Sequence, residues 1–360
     1  MKTHKLIATA MTAFLVAFGL CVGSGHADQL SPTRETTAVE PVPAPAPTPV
    51  AAPAIVVVPA VQQISFEEYY KQVWKTAKDN FLYQDRLTNF DQWEHKFDGK
   101  LLTQADAEKA INEMLDSMAD GYSYFRNNAR TQTQATKAAS TNVVSYRMIG
   151  TIGYIKIETF GSNNAASETE AALNALNKAG AKSYILDLRD NGGGYVHQAF
   201  SIAAMFLNEG AYASAKGTRN GKPYLWELTI TKTGLEEKEG GSVTATHNRV
   251  ANLTGQKPVI MLVNGGSASA SEMLAGALRD HGRATLIGTK TFGKGISQLN
   301  LDLPFSTSMQ ITFAKLYHPK GTTVHGVGMN PDEVVAVVAN ADAQLTKALE
   351  LAAGKKAARP

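Results

Sequence analysis

Two buried-type segments, each running directly into a glycine turn, constrain the fold of this chain more than any other feature. Residues 183–188 form an apolar run that leads into the turn 191–194, and residues 258–263 form a second that leads into the turn 264–266. A sequence with helical spacing follows each turn. Strands that alternate with helices and end in glycines predict an α/β fold.

The same alternation begins at about residue 143 and continues along the chain. Helical spacing predicts three helices, and short apolar runs bounded by turn residues predict further strands. The helices are expected at 167–179, 197–207 and 268–281, and the additional strands at 153–157, 225–231, 285–288 and 309–314. We therefore assign residues 143–345 to an α/β core and residues 346–360 to a C-terminal tail.

A small helical segment precedes the core. Ser65 and Glu68 have the spacing of a capping box and are followed by aromatic residues at helical spacing. A second helix is expected to begin at Thr103. Residues 127–141 are rich in Thr, Gln, Ala and Asn and show no periodicity, which is typical of a surface loop. Residues 64–142 are thus predicted to form a helical subdomain with a loop.

Residues 1–27 carry the pattern of an export signal. Two lysines lead into an apolar run over residues 6–22, and the small residues Gly25 and Ala27 form a plausible cleavage site. The same run could instead be retained as a membrane anchor, and Cys21 could carry a lipid. We expect a cleaved signal peptide and a location in the periplasm, the cell envelope or the medium.

Residues 28–63 have the composition of a linker. Eight of the 14 prolines lie between positions 32 and 59, and prolines alternate with Val, Ala or Thr over 41–49. Such a segment is a stiff tether without a core of its own. A proline-rich docking motif for an adaptor is the alternative, although such motifs usually carry neighbouring charges or aromatic residues.

Composition excludes several classes of function. The chain has 35 Lys and Arg residues against 32 Asp and Glu residues, so no basic footprint for nucleic acid is present. The single cysteine, Cys21, lies in the predicted signal peptide, which excludes a disulfide framework, a cysteine-ligated zinc site and a catalytic thiol in the mature chain. No histidines have the His-Glu-x-x-His spacing. We expect neither a metal nor a cofactor.

Three serines, Ser267, Ser269 and Ser271, occupy the junction where a predicted strand becomes a helix. A hydroxyl at this junction lies beside unpaired N–H groups at the positive helix end, which suits a nucleophile that forms an oxyanion. It suits a helix N-cap equally well. The glycine turn 191–194 could provide an oxyanion donor, bind phosphate or be only a tight turn, and it matches neither nucleotide-binding glycine motif.

A serine nucleophile needs a base, and no histidine lies in an obviously catalytic setting, although a Ser-His-Asp triad stays open. Lys294, flanked by Gly293 and Gly295, is a second candidate base, unless it is simply an exposed loop lysine. A free lysine has a pKa near 10.4, whereas a general base at neutral pH needs a pKa of about 7–8. A shift of about three units corresponds to roughly 4 kcal/mol, which desolvation of the ammonium would provide.

Six sequence blocks occur in an order that resembles the carboxyl-terminal processing, or tail-specific, proteases. The serine and lysine blocks are the most specific of them, and the resemblance covers roughly residues 64–335. The blocks are 187–194, 263–272, 276–284, 288–295, 317–319 and 324–332.

The resemblance implies a Ser/Lys peptidase that cleaves polypeptides on a Clp protease/crotonase-like core. By position in the motifs, Ser269 corresponds to the nucleophile, Lys294 to the general base and Gln298 to the residue that orients the lysine. The backbone N–H groups of Gly193 and Ala270 correspond to the oxyanion hole. A neutral amide at position 298 is chemically sensible, because a carboxylate there would hold the lysine protonated.

One departure from the family pattern concerns its PDZ domain, which most members carry before the first core strand. Such a domain needs on the order of 80–90 residues, and only 24 residues separate Phe125 from Gly150. We therefore expect no PDZ domain, and we expect the loop 127–141 to border the active-site entrance in its place. A catalytically silent binding or scaffold protein on the same fold is the alternative function. The sequence does not indicate an oligomeric state.

Overall fold

The structure is a computed structural model, and it describes two stretches of the chain, residues 64–127 and 142–354. Several predicted regions lie outside these described residues, namely the signal peptide (1–27), the linker (28–63), most of the loop (128–141) and the end of the tail (355–360).

The N-terminal helices begin where their caps predict. The elements are α1 (Phe66–Asn80), two 3₁₀ turns (Gln84–Arg86 and Phe90–Glu94), α2 (Gln104–Asp116) and β1 (Tyr124–Asn127). The Ser65 hydroxyl accepts the Glu68 N–H at 3.1 Å. Thr103 and Asp106 form a reciprocal capping box at the start of α2. The local start signals were therefore sufficient to place both helices.

The remaining elements combine helices with two sheets. In chain order they are β2 (Val144–Ile149), β3 (Ile152–Ile157), α3 (Ala165–Lys178), β4 (Ser183–Asp187), α4 (Val196–Ala204), β5 (Gly210–Arg219), β6 (Lys222–Ile230), β7 (Leu235–Glu239), β8 (Ser242–His247), β9 (Val259–Val263), α5 (Ala270–Asp280), β10 (Thr285–Gly288), β11 (Ile296–Leu303), β12 (Thr307–Tyr317), β13 (Glu333–Val334) and α6 (Ala343–Ala352). This arrangement confirms the predicted α/β class.

A six-stranded sheet forms the centre of the fold, with strand order β13-β10-β9-β4-β3-β2. All neighbours in it are parallel except β2 and β3. Leu173, Phe200 and Met273 from α3, α4 and α5 belong to one buried cluster with the sheet. Because β4 and β9 are parallel neighbours, the glycine turns that follow them lie next to each other at the carboxyl-terminal ends of the strands.

A seven-stranded antiparallel sheet contains β1, β12, β5, β6, β7 and β8 in that order, with β11 paired to β12. Met309 and Ile311 of β12 are buried in one cluster with Tyr69 of α1 and Ile111 of α2. The N-terminal helices thus share their core with this sheet and belong to the same compact unit as the α/β region.

The C-terminal tail differs from the prediction. Residues 346–352 continue α6, and Ala348 and Ala352 pack against Ile185 and Leu262 of the central sheet. The apolar residues of α6, at helical spacing, cover the sheet face opposite α3, α4 and α5. The tail can therefore begin only after this helix. Among the described residues, no helix has the length and apolar character needed to cross a membrane.

Candidate active site

Ser269 is the N-cap residue of α5, and its backbone has φ 56° and ψ −116°. A positive φ is strained for a residue with a Cβ, and such strain is often found where a chain turns sharply to present a reactive group. The motif of the lipase-type nucleophile elbow, G-x-S-x-G, is absent from this turn, yet the strand β9 and the helix α5 join at a comparably sharp serine-bearing turn.

The other two serines of the triplet have structural partners. The Ser267 hydroxyl donates to the Leu188 carbonyl oxygen at 2.7 Å, and the Ser271 hydroxyl donates to the Asn191 carbonyl oxygen at 2.8 Å. Both serines are buried. Ser269 is half-buried. It lines a cavity that neither Ser267 nor Ser271 lines. The geometry therefore separates one hydroxyl that lines the cavity from two that donate to carbonyl oxygens at and just before the glycine turn 191–194.

The cavity has a volume of about 570 Å³ and brings together the residues selected from the sequence motifs except Ala270, the buried residue that follows Ser269 in the chain. Ser269, Lys294, Gln298 and Gly193 all line it. The glycine turn after β4 and the first residues of β11 both contribute to its lining.

Glu272, on the first turn of α5, connects the serine to the lysine loop. Its carboxylate is fully buried and accepts the backbone N–H groups of Ser269 at 3.0 Å, Lys294 at 2.8 Å and Gly293 at 2.8 Å. The Thr291 hydroxyl donates to it as well, at 2.5 Å. Sequence reasoning missed this role, although the three-residue spacing of Ser269 and Glu272 is that of a capping box.

The lysine side chain is not bonded to the two residues predicted to cooperate with it. Its Nζ lies 5.2 Å from the centroid of the Tyr122 ring, a cation–π distance. Within the described residues, the structure shows no hydrogen bond of Lys294 Nζ to Ser269 or Gln298, and Gln298 Nε2 is buried without a partner. The structure therefore places Lys294 and Gln298 in one cavity without the predicted contact between them.

The two predicted oxyanion donors differ in their availability. Ala270 is the first residue of α5, where backbone N–H groups have no acceptor within the helix. The Gly193 N–H instead donates to Asn191 Oδ1 at 2.9 Å. A Cβ added to Gly193 would lie 2.6 Å from the Ala268 carbonyl oxygen, so glycine is required for this close approach. The Gly193 N–H thus lies at the cavity but is engaged by Asn191.

A histidine lies behind the lysine loop that the sequence did not single out for chemistry. His325 Nε2 and the Tyr83 hydroxyl are 2.8 Å apart, and the His325 ring lies edge-on to Tyr122 with centroids 6.5 Å apart. Burial lowers the pKa of the His325 imidazole, and the nearby Lys315 lowers it further. This arrangement connects the N-terminal segment to the region around Lys294.

The chain belongs to peptidase family S41, whose family model matches residues 151–335, about half of the chain. It is 38% identical over 196 residues to a carboxy-terminal-processing protease of Bartonella bacilliformis, an alignment that covers 53% of this chain and 40% of that protein. It is 37% identical over 211 residues to the carboxyl-terminal-processing protease of a Synechocystis species, covering 56% of this chain and 44% of that protein. The resemblance inferred from the motifs is thereby confirmed, and the chain spans less than half the length of these relatives.

Two solved structures share the fold at low sequence identity. The photosystem II D1 C-terminal processing protease aligns with a TM-score of 0.61 and 17% identity, covering 76% of this chain and 94% of that chain. A lipoprotein from Streptococcus agalactiae aligns with a TM-score of 0.61 and 15% identity, covering 82% of this chain and 99% of that chain. These likenesses support the predicted Clp protease-like fold of the serine peptidases.

Proposed function

We propose that this chain is an endopeptidase that cleaves polypeptides with a Ser269–Lys294 dyad. The observation that carries the proposal is the separation within the serine triplet. Ser267 and Ser271 donate to backbone carbonyls, whereas Ser269 shares a cavity with Lys294.

In the proposed mechanism, neutral Lys294 accepts the proton of the Ser269 hydroxyl while Oγ attacks the peptide carbonyl carbon. The Ala270 N–H and the positive end of α5 stabilise the oxyanion of the tetrahedral intermediate. Lys294 then donates the proton to the leaving amine, and the acyl-enzyme forms. A water molecule, deprotonated by Lys294, hydrolyses the ester and regenerates the Ser269 hydroxyl.

Two contacts in the structure must change for this mechanism. Lys294 must leave the Tyr122 ring and approach Ser269, with the Gln298 amide oxygen accepting one of its hydrogens. Gly193 contributes the second oxyanion donor once its N–H turns from Asn191 Oδ1 to the substrate oxygen. We therefore propose that the structure represents a resting arrangement of the site.

Digestion of an unfolded, alkylated protein tests the proposal. The native chain should cleave it, and Ser269→Ala and Lys294→Ala should each abolish cleavage. Lys290→Ala is the matched control, because Lys290 is an exposed lysine of the same loop. Cleavage that survives in Ser269→Ala would contradict the proposed nucleophile. Absence of cleavage by the native chain would instead support a binding or scaffold function.

Two further proposals rest on the sequence pattern alone. We propose that no PDZ domain lies between Phe125 and Gly150, so that cleavage depends weakly on a free substrate carboxyl terminus. Amidation of that terminus in a good peptide substrate should change the rate only a few-fold, and a loss of about a hundredfold would contradict it.

We also propose that the chain is exported, on the pattern of residues 1–27.

A further inference from the structure

Tyr195 places an exposed aromatic ring at the rim of the cavity that contains Ser269. It is the N-cap residue of α4, and it is 48% exposed. The residues on either side of it, Gly194 and Val196, both line the cavity. A tyrosine ring offers a large contact area at a low cost in side-chain entropy, so this position is suited to binding what enters the cavity.

The backbone that carries Tyr195 is held on both sides. The Tyr195 N–H donates to the Phe160 carbonyl oxygen at 2.9 Å, and the Phe160 N–H donates to the Gly193 carbonyl oxygen at 2.9 Å. Gly194 must be glycine, because its φ is 141° and an added Cβ would lie 2.2 Å from the Phe160 carbonyl carbon. This close pairing fixes the backbone of Tyr195 relative to Gly193, the second proposed oxyanion donor.

The Tyr195 ring is also supported on one face. The His197 imidazole stacks on it, with the ring centroids 5.4 Å apart and 26° between the ring planes. Burial lowers the pKa of the His197 imidazole, while nearby Glu237 raises it and His247 lowers it further, so the supporting ring is uncharged at neutral pH. Among the described residues, no other ring stacks on Tyr195 and no cation lies over it. The two rings form an uncharged stack with one tyrosine surface exposed.

The lining of the cavity indicates which side chain this ring would receive. None of the described residues that line the cavity is acidic, and Lys294 is the only basic one. A cationic side chain would therefore find no partner of opposite charge in the cavity. Two stacked, uncharged rings instead favour a third aromatic ring, which gains an offset or edge-on contact in addition to the area that it buries.

We propose that Tyr195 forms a subsite for one aromatic side chain of the substrate polypeptide, which stacks on the exposed tyrosine ring. This inference rests on the proposed function and names a specificity of the same site. Tyr195 follows Gly193 by two positions. An extended chain advances about 3.3 Å per residue, so the selected position lies within about three residues of the scissile carbonyl. Cleavage should therefore favour segments that contain phenylalanine, tyrosine or tryptophan at that position.

Peptide binding to the inactive Ser269→Ala protein tests the subsite without cleavage. The probe is an alanine–serine peptide of about twelve residues, roughly 40 Å when extended, whose central residue is phenylalanine, alanine or arginine. Calorimetry should show the phenylalanine peptide binding about tenfold more tightly than the alanine peptide. Adding Tyr195→Ala should reduce this ratio to within about twofold, whereas Tyr195→Phe should keep it. Tyr146→Ala, at a 49% exposed tyrosine of β2, is the matched control and should also keep it.

Equal affinities of the phenylalanine and alanine peptides, or no binding of either, would overturn the proposal. A preference that survives Tyr195→Ala would also overturn it, because another residue would then provide the subsite. Tightest binding of the arginine peptide would overturn it as well, because the ring would then bind a cation. Ser269-dependent digestion of an unfolded protein by the native chain reports on the proposed function separately, since the binding ratio is measured on an inactive protein.

Discussion

The carboxylate of Glu272 accepts the backbone N–H of Lys294 at 2.8 Å, although the two residues lie on different elements. The same oxygen accepts the N–H of Ser269 at 3.0 Å. One buried side chain thus fixes the backbone positions of the proposed nucleophile and the proposed base relative to each other. A carboxylate suits this position because it offers only acceptors to the groups that donate to it.

Glu272→Gln should therefore impair both stability and catalysis. The amide NH₂ would face backbone donors, leaving at least one buried donor without a partner, at a cost of about 1–3 kcal/mol in the free energy of unfolding. We expect kcat to fall more than tenfold, because the two reacting side chains lose their common support. Denaturant unfolding and cleavage kinetics measure both effects. Glu350→Gln, at an exposed position of α6, should leave both unchanged.

Ser267→Ala and Ser271→Ala should reduce stability and retain cleavage. Each substitution removes a buried hydroxyl and leaves the Leu188 or Asn191 carbonyl oxygen without that donor, so we expect a loss of about 1–2 kcal/mol in the free energy of unfolding.

Ser269→Ala should do the reverse, with thermal stability kept and cleavage lost. The double variant Ser269→Ala, Lys294→Ala should be no less active than either single variant, since the dyad acts as a unit. An active Ser269→Ala protein would assign the nucleophile to another residue.

Removal of the Tyr122 ring should speed cleavage, because in the proposed mechanism Lys294 must leave this ring to reach Ser269. The cation–π contact is worth roughly 0.5–1 kcal/mol, so its loss should raise kcat about two- to fivefold. Tyr122→Leu should show the increase and Tyr122→Phe should not. Equal kcat values for the two variants would exclude the ring as the cause.

Stability should decline as the pH falls below about 6.5. His318 is 2% exposed, and burial lowers the pKa of its imidazole despite the opposing charge of Asp280. The unfolded chain binds a proton near pH 6.5, before the folded chain does, so acid favours the unfolded state. The contribution of one histidine to the slope is at most about 1.4 kcal/mol per pH unit. Urea unfolding between pH 5 and 8 should show a shallower slope in His318→Gln, with exposed His95→Gln as the control.

The parts of the fold that the sequence predicted have strong local signals. The caps at Ser65 and Thr103 located α1 and α2, and continuous apolar runs located β4 and β9. The sequence did not predict helix α6 or the strands β1, β2, β5, β7, β8, β11 and β13. Segments such as Leu235–Glu239, with three glutamates and a lysine in five residues, have no apolar alternation and depend on pairing with neighbouring strands.

The motifs selected residues that line one cavity, but they did not predict the contacts that these residues make. The motifs identified Ser269, Lys294 and Gln298, and the structure places all three around one cavity. The direction of the Gly193 N–H depends on the Asn191 side chain, which belongs to the same motif but whose orientation the motif does not give. The position of the lysine side chain depends on Tyr122, which is remote from Lys294 in sequence. The role of Glu272 was not predicted, because its bonds to the lysine loop form through tertiary packing.

The positive φ at Ser269 implies a trade-off between activity and stability at a single position. Glycine adopts such a backbone without strain, whereas a residue with a Cβ stores about 1–3 kcal/mol there. Folding alone would favour glycine at position 269, and chemistry requires a hydroxyl. Ser269→Gly should therefore give a protein that unfolds at a higher temperature and no longer cleaves. Such an inert form would retain the cavity and could serve as a trap for isolating the polypeptides that the native enzyme processes.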